Sequence, residues 1–270
     1  MPDPFGCTGG GGVGKGKKFV AAAAAVVFVL GLSVLLYPPV HGWIVDQKIQ
    51  AQAVSFVEKL EVQRYPVKDQ ERFPQTDIEE TQPREHADLY EAMQQYNEQI
   101  YRECQAGLKD PWSYEQPSFT LENFGLTDEV FGVITIEKLD IEMPIYLGAT
   151  YTHMADGAAH LSQTSIPIGG NNTNCVVAGH RGWGGAKYFR YITDLVAGDT
   201  VKITNLWETM TYTVCETQII DPDDVEAIHI RPGRELLTLL TCHPYATGGR
   251  QRYLVICERN YDESDSRLPG

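Results

Sequence analysis

Between Phe19 and Tyr37 the chain runs for 19 residues without a charged side chain, as FVAAAAAVVFVLGLSVLLY. At about 1.5 Å per residue a helix of this run spans roughly 28 Å, close to the depth of bilayer hydrocarbon. In lipid the backbone must satisfy its own polar groups, so a helix is the form such a run takes. It exceeds the usual apolar region of a signal peptide and reads as an uncleaved anchor, although its Ala-rich stretch leaves a cleaved signal open. Lys15, Lys17 and Lys18 precede it, which keeps the N-terminus in the cytoplasm and puts everything after about Pro38 outside the cell. Residues 1–18 are then a cytoplasmic tail rich in glycine and lysine. Gly6 to Gly16 has G-x-G spacing but no preceding strand, so it is no phosphate loop.

The remainder divides by pattern. Pro38 and Pro39 are expected to end the membrane helix. Over residues 38–107 a helical region follows. Ile44, Val45, Ile49, Val54, Phe56, Val57 and Leu60 recur at helical spacing, and Leu89, Met93, Tyr96, Ile100 and Cys104 share a face of a second helix from Arg84 to about Gly107. A polar connector with Pro66, Pro74 and Pro83 separates them, so a helical pair is predicted. Residues 108–125 bridge to a region, 126–260, of short apolar or alternating runs punctuated by Gly, Pro, Asp and Asn. That pattern predicts a mainly β domain closed into a barrel, with a short helix between Ala186 and Leu195. Residues 261–270 form a polar tail.

The net charge of −14 argues against a nucleic-acid partner, which needs a basic face. The six cysteines include no C-x-x-C pair, which indicates neither a zinc site nor a thioredoxin-type motif. Cys215 and Cys257 lie in strand-like runs and read as buried core; a disulfide among the six stays open.

Cys242 closes the strand LLTLLTC, and alone it too reads as core. Its company changes the reading. His180 closes another apolar strand, NCVVAGH, before a glycine-rich turn. A cysteine and a histidine that each end a β-run are a candidate nucleophile and acid/base pair. Arg250 and Arg252 open the next strand, where a fixed cation could hold an oxyanion.

The segment TLLTCHPYATGGRQRYLV resembles the signature of the sortases, and GHRG at 179–182 resembles the segment of their catalytic histidine. HLSQTSIPIGGNNTNCVVAGHRGWGGAKYFRYITDLVAGD, ITIEKLDIEMPIY and DPDDVEAIHIRPG are similar to class C, the pilin polymerases. The resemblance covers about residues 85–259. It implies a closed eight-stranded β-barrel with a lid loop, and a cysteine transpeptidase that needs no metal or organic cofactor. Cys242 matches the nucleophile and His180 the acid/base. Arg252 matches the catalytic arginine, with Arg250 as the alternative, because the loop carries one extra residue. Asp110-Pro111-Trp112, otherwise a plain turn, matches the lid, with Asp110 and Trp112 over the site. Thr241 is expected to position substrate. The implied substrate is a sorting signal like Leu-Pro-x-Thr-Gly, cut between Thr and Gly, and the implied partners are pilin subunits with acceptor lysines. Many class C members have a second membrane helix at the C-terminus, whereas this chain ends in NYDESDSRLPG. A housekeeping sortase acting on a cell-wall amine, a hydrolytic cysteine protease and a non-enzymatic adhesion module are the competing readings.

Overall fold

The computed structural model describes residues 13–64, 85–108, 117 and 119–261. The expected glycine-rich tail before residue 13, the connector at 65–84, Asp110 and Trp112, and the tail from residue 262 lie outside the described residues.

The apolar run forms part of α1 (Val13–Arg64), a helix of 52 residues. It includes a stretch long and apolar enough to cross a membrane, with mean hydropathy 2.8. Pro38 and Pro39 do not end the helix, contrary to expectation. A proline removes one backbone donor. Here the turns that follow are held by other contacts: the backbone of Gly185 lies against Pro38 and Gly42, and Ile49, Ala53, Phe56 and Leu60 are buried against the barrel. The apolar run and the helix expected from Ile44 to Leu60 are thus one element.

The second helix, α2 (Ala87–Arg102), is shorter than predicted. Cys104 and Gln105 both adopt positive φ, which ends the helix and leaves Cys104 exposed rather than on the apolar face. Asn97 is buried instead, and its amide binds the backbone of Ile166 twice: Nδ2 donates to the carbonyl at 3.2 Å, and Oδ1 accepts from the amide at 2.8 Å. The helices do not form a pair through their apolar faces. Ala53, Phe56 and Leu60 of α1 pack on Val130, Val133 and Tyr146, whereas Leu89 and Met93 of α2 pack on Phe131, Leu147, Ile166 and Ile168.

The alternating runs form β1 (Val130–Ile136), β2 (Ile141–Leu147), β3 (Ala158–His160), β4 (Thr173–Ala178), β5 (Thr200–Asn205), β6 (Thr209–Ile220), β7 (Glu235–His243) and β8 (Gln251–Arg259), with α3 (Tyr151–Asp156) between β2 and β3. They close in the order β1-β2-β3-β4-β7-β8-β6-β5, the barrel expected, which leaves no open sheet edge. All eight strands send side chains to one interior cluster, among them Ile134, Ile145, Ala158, Val177, Ile203, Tyr212, Leu239 and Val255. Each buried Val, Leu or Ile among them contributes on the order of 1.5–3 kcal/mol. The expected helix at Ala186–Leu195 is a turn followed by one 3-10 turn, Ile192–Asp194. Tyr188 at φ 41° breaks a continuous helix, yet Phe189, Ile192 and Leu195 are all buried. Cys257 is buried, but Cys215 is exposed: Met210, Tyr212 and Val214 take the buried positions of β6, so Cys215, at a bulge between Val214 and Glu216, faces outward.

Candidate active site

The alternation that fills the interior also builds a second apolar face. Val176 and Ala178 of β4, Leu236 and Leu240 of β7, and Leu254 and Ile256 of β8 point outward and cluster with Ala149, Leu161, Ile220 and Ile228. Leu108 packs on the same cluster. Cys242 stands two residues beyond Leu240, and Arg252 stands two before Leu254, so both continue this face at strand period two. β7 and β8 are antiparallel, and Cys242 is the direct register partner of Arg252. β4 and β7 are parallel, with Ala178 opposite Leu240. The ladder continues as the Gly179 amide donates to the Leu240 carbonyl at 3.0 Å. His180, two residues past Ala178, therefore comes level with Cys242.

Cys242 is half-buried. Its sulfur is crowded by the β7–β8 loop: a Cβ placed on Gly249 would lie 2.9 Å from Sγ and 3.4 Å from Arg252 Nη1. Gly249, at φ +73°, lets the loop pass over the thiol in a conformation that side chains rarely adopt. Arg252 is buried, and its Nη1 donates to the Gly249 carbonyl at 2.6 Å and to that of Gln251 at 3.2 Å. Arg250 is exposed and precedes the strand. The structure therefore brings Arg252, and not Arg250, into register with Cys242.

His180 packs against Trp183, with ring centroids 5.2 Å apart, and edge-on to Tyr188 at 5.6 Å. Burial lowers its pKa from the ordinary 6.5, so the ring favours its neutral form. Thr241 faces the interior, away from Cys242. It is fully buried, and its hydroxyl donates to the Gly179 carbonyl at 2.8 Å. It braces the backbone before His180 from the face of β7 opposite Cys242.

Two neighbours escaped the sequence reading. Arg181 Nη1 donates to His243 Nδ1 at 2.6 Å and reaches the Cys242 carbonyl at 3.4 Å, while Nη2 donates to Thr193 at 3.4 Å. Arg181 follows His180 and His243 follows Cys242, so this contact ties the two strand ends together. Burial and the Arg181 charge both lower the His243 pKa, which keeps Nδ1 an acceptor. The only signal in the sequence was their adjacency to the two singled-out residues. The five described cysteines, Cys104, Cys175, Cys215, Cys242 and Cys257, are thiols.

Residues 134–260 match the family described as Sortase domain. The chain is 31% identical to Sortase C1 of GBS Pilus Island 1, with a TM-score of 0.59, over 66% of this chain and 84% of that one. It is 29% identical to Sortase D of Bacillus subtilis (strain 168) over 135 residues, 49% of this chain and 65% of that protein. It is 33% identical to Sortase A of Streptococcus agalactiae serotype III (strain NEM316) over 134 residues, 48% of this chain and 52% of that protein. The chain thus spans about half to two thirds of the length of these curated relatives.

Proposed function

The chain belongs to the sortase family, and from that premise we propose that it is a cysteine transpeptidase in which Cys242 is the nucleophile, His180 the acid/base and Arg252 the oxyanion partner. The observation that carries this reading is the shared face. A thiol and a buried guanidinium are register partners, and an imidazole that favours its neutral form comes level with them at one end of an apolar outer wall.

The thiolate is the attacking form of a cysteine, and a free thiol has a pKa of about 8.5. Neutral His180 takes the Cys242 proton as sulfur bonds to the scissile carbonyl carbon. The carbonyl electrons move onto oxygen, where Arg252 stabilises the charge. When the oxyanion collapses, the C–N bond breaks and His180 returns the proton to the leaving amine. A thioester remains on Cys242. An incoming amine attacks it and gives its proton to His180; the C–S bond breaks, His180 passes that proton to the departing sulfur, and the free thiol and a new amide result.

In this proposal the substrate is a Leu-Pro-x-Thr-Gly-like signal cut between Thr and Gly, and the acceptor is a pilin lysine. Asp110-Pro111-Trp112 serves as the lid. Likeness to a sortase of a pilus island supports the pilin reading. Likeness to a protein named Sortase A favours a second one, transfer to a cell-wall amine. α1 anchors the chain in the membrane, N-terminus inside and barrel outside.

The test is mass spectrometry of the enzyme trapped with a sorting-signal peptide. An acyl adduct on Cys242, absent from Cys242→Ala with its fold intact, is expected. An adduct on another cysteine, or cleavage by Cys242→Ala, overturns the mechanism. Covalent ladders with a pilin-type substrate separate polymerisation from transfer to a cell-wall amine, and product formed without any amine marks hydrolysis.

A further inference from the structure

The loop that carries His180 is built onto α1. Gly184 and Gly185 form the tip of a turn closed by Trp183 and Ala186, whose backbones exchange hydrogen bonds of 3.3 and 3.0 Å. That tip lies on the helix. A Cβ on Gly185 would sit 2.2 Å from the Pro38 carbonyl oxygen, and one on Gly42 would sit 2.2 Å from the Gly185 backbone. His41 Nδ1 donates to the Gly184 carbonyl at 2.9 Å, and Asp46 accepts from the Lys187 amide at 2.9 Å. α3 joins the same place through an ion pair of Lys48 with Asp156 at 2.6 Å. The turn is therefore fixed to α1 between Pro38 and Asp46, directly after the uncharged run.

Around this turn the apolar side chains stay exposed. On α1, Val40, Trp43 and Ile44 are 52%, 63% and 54% exposed. Beside them, Trp183 is 44% and Tyr151 64% exposed, with their rings edge to face at 6.1 Å. From Phe19 to Ile44 an apolar helix surface extends over roughly 39 Å, longer than the ~30 Å of hydrocarbon, so its last turns fall in the headgroup layer. Trp183 adjoins the docked tip and lies at that same level. Amphipathic aromatic rings are the side chains that favour this layer.

We propose that Trp183 and Tyr151, together with Trp43, seat the His180 end of the barrel on the membrane surface. The partner is the headgroup layer of a lipid bilayer, and the proposal rests on α1 spanning that bilayer. Trp183 touches both the His180 ring and the lipid, so membrane contact and the acid/base share one side chain.

The experiment uses the full chain in phosphatidylcholine–phosphatidylglycerol vesicles containing phosphatidylcholine brominated near either end of its acyl chains. Three proteins keep one tryptophan each, Trp183, Trp43 or Trp207, with phenylalanine at the other tryptophan positions. Trp207 is the distant control: its neighbour Leu206 packs against the stretch of α1 that ends at Leu60, roughly 24 Å along the helix from Ile44. Trp183 is expected to be quenched at least half as strongly as Trp43, more by shallow than by deep bromines, with Trp207 unaffected. Quenching of Trp43 without Trp183 overturns the seating and leaves the anchor standing. Quenching of neither overturns both. Equal quenching of Trp207 and Trp183 also overturns it, since the contact then has no defined face. Multiple substitutions can unfold the barrel, so Trp183→Phe alone is read beside them. It should remove part of the shallow-quenched emission, and a quenched fraction equal to that of the unsubstituted chain overturns the proposal.

Discussion

His180 sits against two aromatic rings, and its burial favours the neutral imidazole. A lowered pKa means that the ring stays able to accept a proton until the pH has fallen below the ordinary 6.5. The acid limb of kcat/KM should therefore lie below pH 6.5, and Trp183→Ala, which admits water to the ring, should move it upward. A limb at or above 6.5 in the unsubstituted enzyme would remove the neutral-base role. The arginines divide just as clearly. Arg252 is buried opposite Cys242, and Arg250 is exposed outside the strand. Arg252→Ala should lower kcat/KM by about 10²–10³, the usual loss for an oxyanion donor, and Arg250→Ala should change it little. Equal losses would return the choice to Arg250. Cys242, His180 and the pair Arg250 and Arg252 stood out as candidates because each sits where an apolar run stops or starts, whereas only the register of β7 with β8 puts Arg252 opposite Cys242. The Arg181–His243 contact was not, since it exists only once parallel β4 and β7 are in register.

At the scale of elements, alternation gave away the strands, because a strand with one buried face writes period two into the chain. What it does not encode is the surface that each element meets. The apolar stripes of α1 and α2 look alike whether they pack on each other or on the barrel, and a bulge at Cys215 leaves no mark in composition. The proposed lid belongs to this scale too. Leu108 packs on the outer apolar face, and Pro117 lies against Gly148, next to the Ala149 of that same face. The described residues on either side of Asp110 and Trp112 thus pack on, or next to, the outer apolar face that Cys242 continues, which is the observation behind the proposed cover. Asp110→Ala and Trp112→Ala should each speed alkylation of Cys242 by iodoacetamide, followed on the Cys242 peptide because Cys104 and Cys215 are exposed as well. If both variants label and turn over like the unsubstituted enzyme, the gating role is lost.

For the molecule as a whole, the barrel's response to acid is set in part by a histidine outside the proposed site. His160 on β3 is completely buried; its Nε2 donates to the Thr164 carbonyl at 3.1 Å, while Nδ1 has no hydrogen-bond partner among the described residues. A second proton would place a charge and an unmet donor in the interior, and burial pushes the pKa down to about 4 from 6.5. Between those values the unfolded chain binds more protons than the native one. Stability must therefore fall as the pH drops from 6.5 towards 4, by roughly 3 kcal/mol at the limit. His180 and His243 are lowered as well and act in the same direction, while Glu137, Asp199, Glu216 and Glu258, lowered by their cationic or hydrogen-bonded partners, lose their contribution at still lower pH. The thermal midpoint of the full chain in detergent should drop by about 3–6 °C from pH 6.5 to pH 5. His160→Gln, which keeps a donor for Thr164 and cannot titrate, should start from a lower midpoint and lose less over that interval. A variant that declines in parallel with the unsubstituted chain would show that the acid sensitivity resides elsewhere, and would leave His160 a packing residue alone.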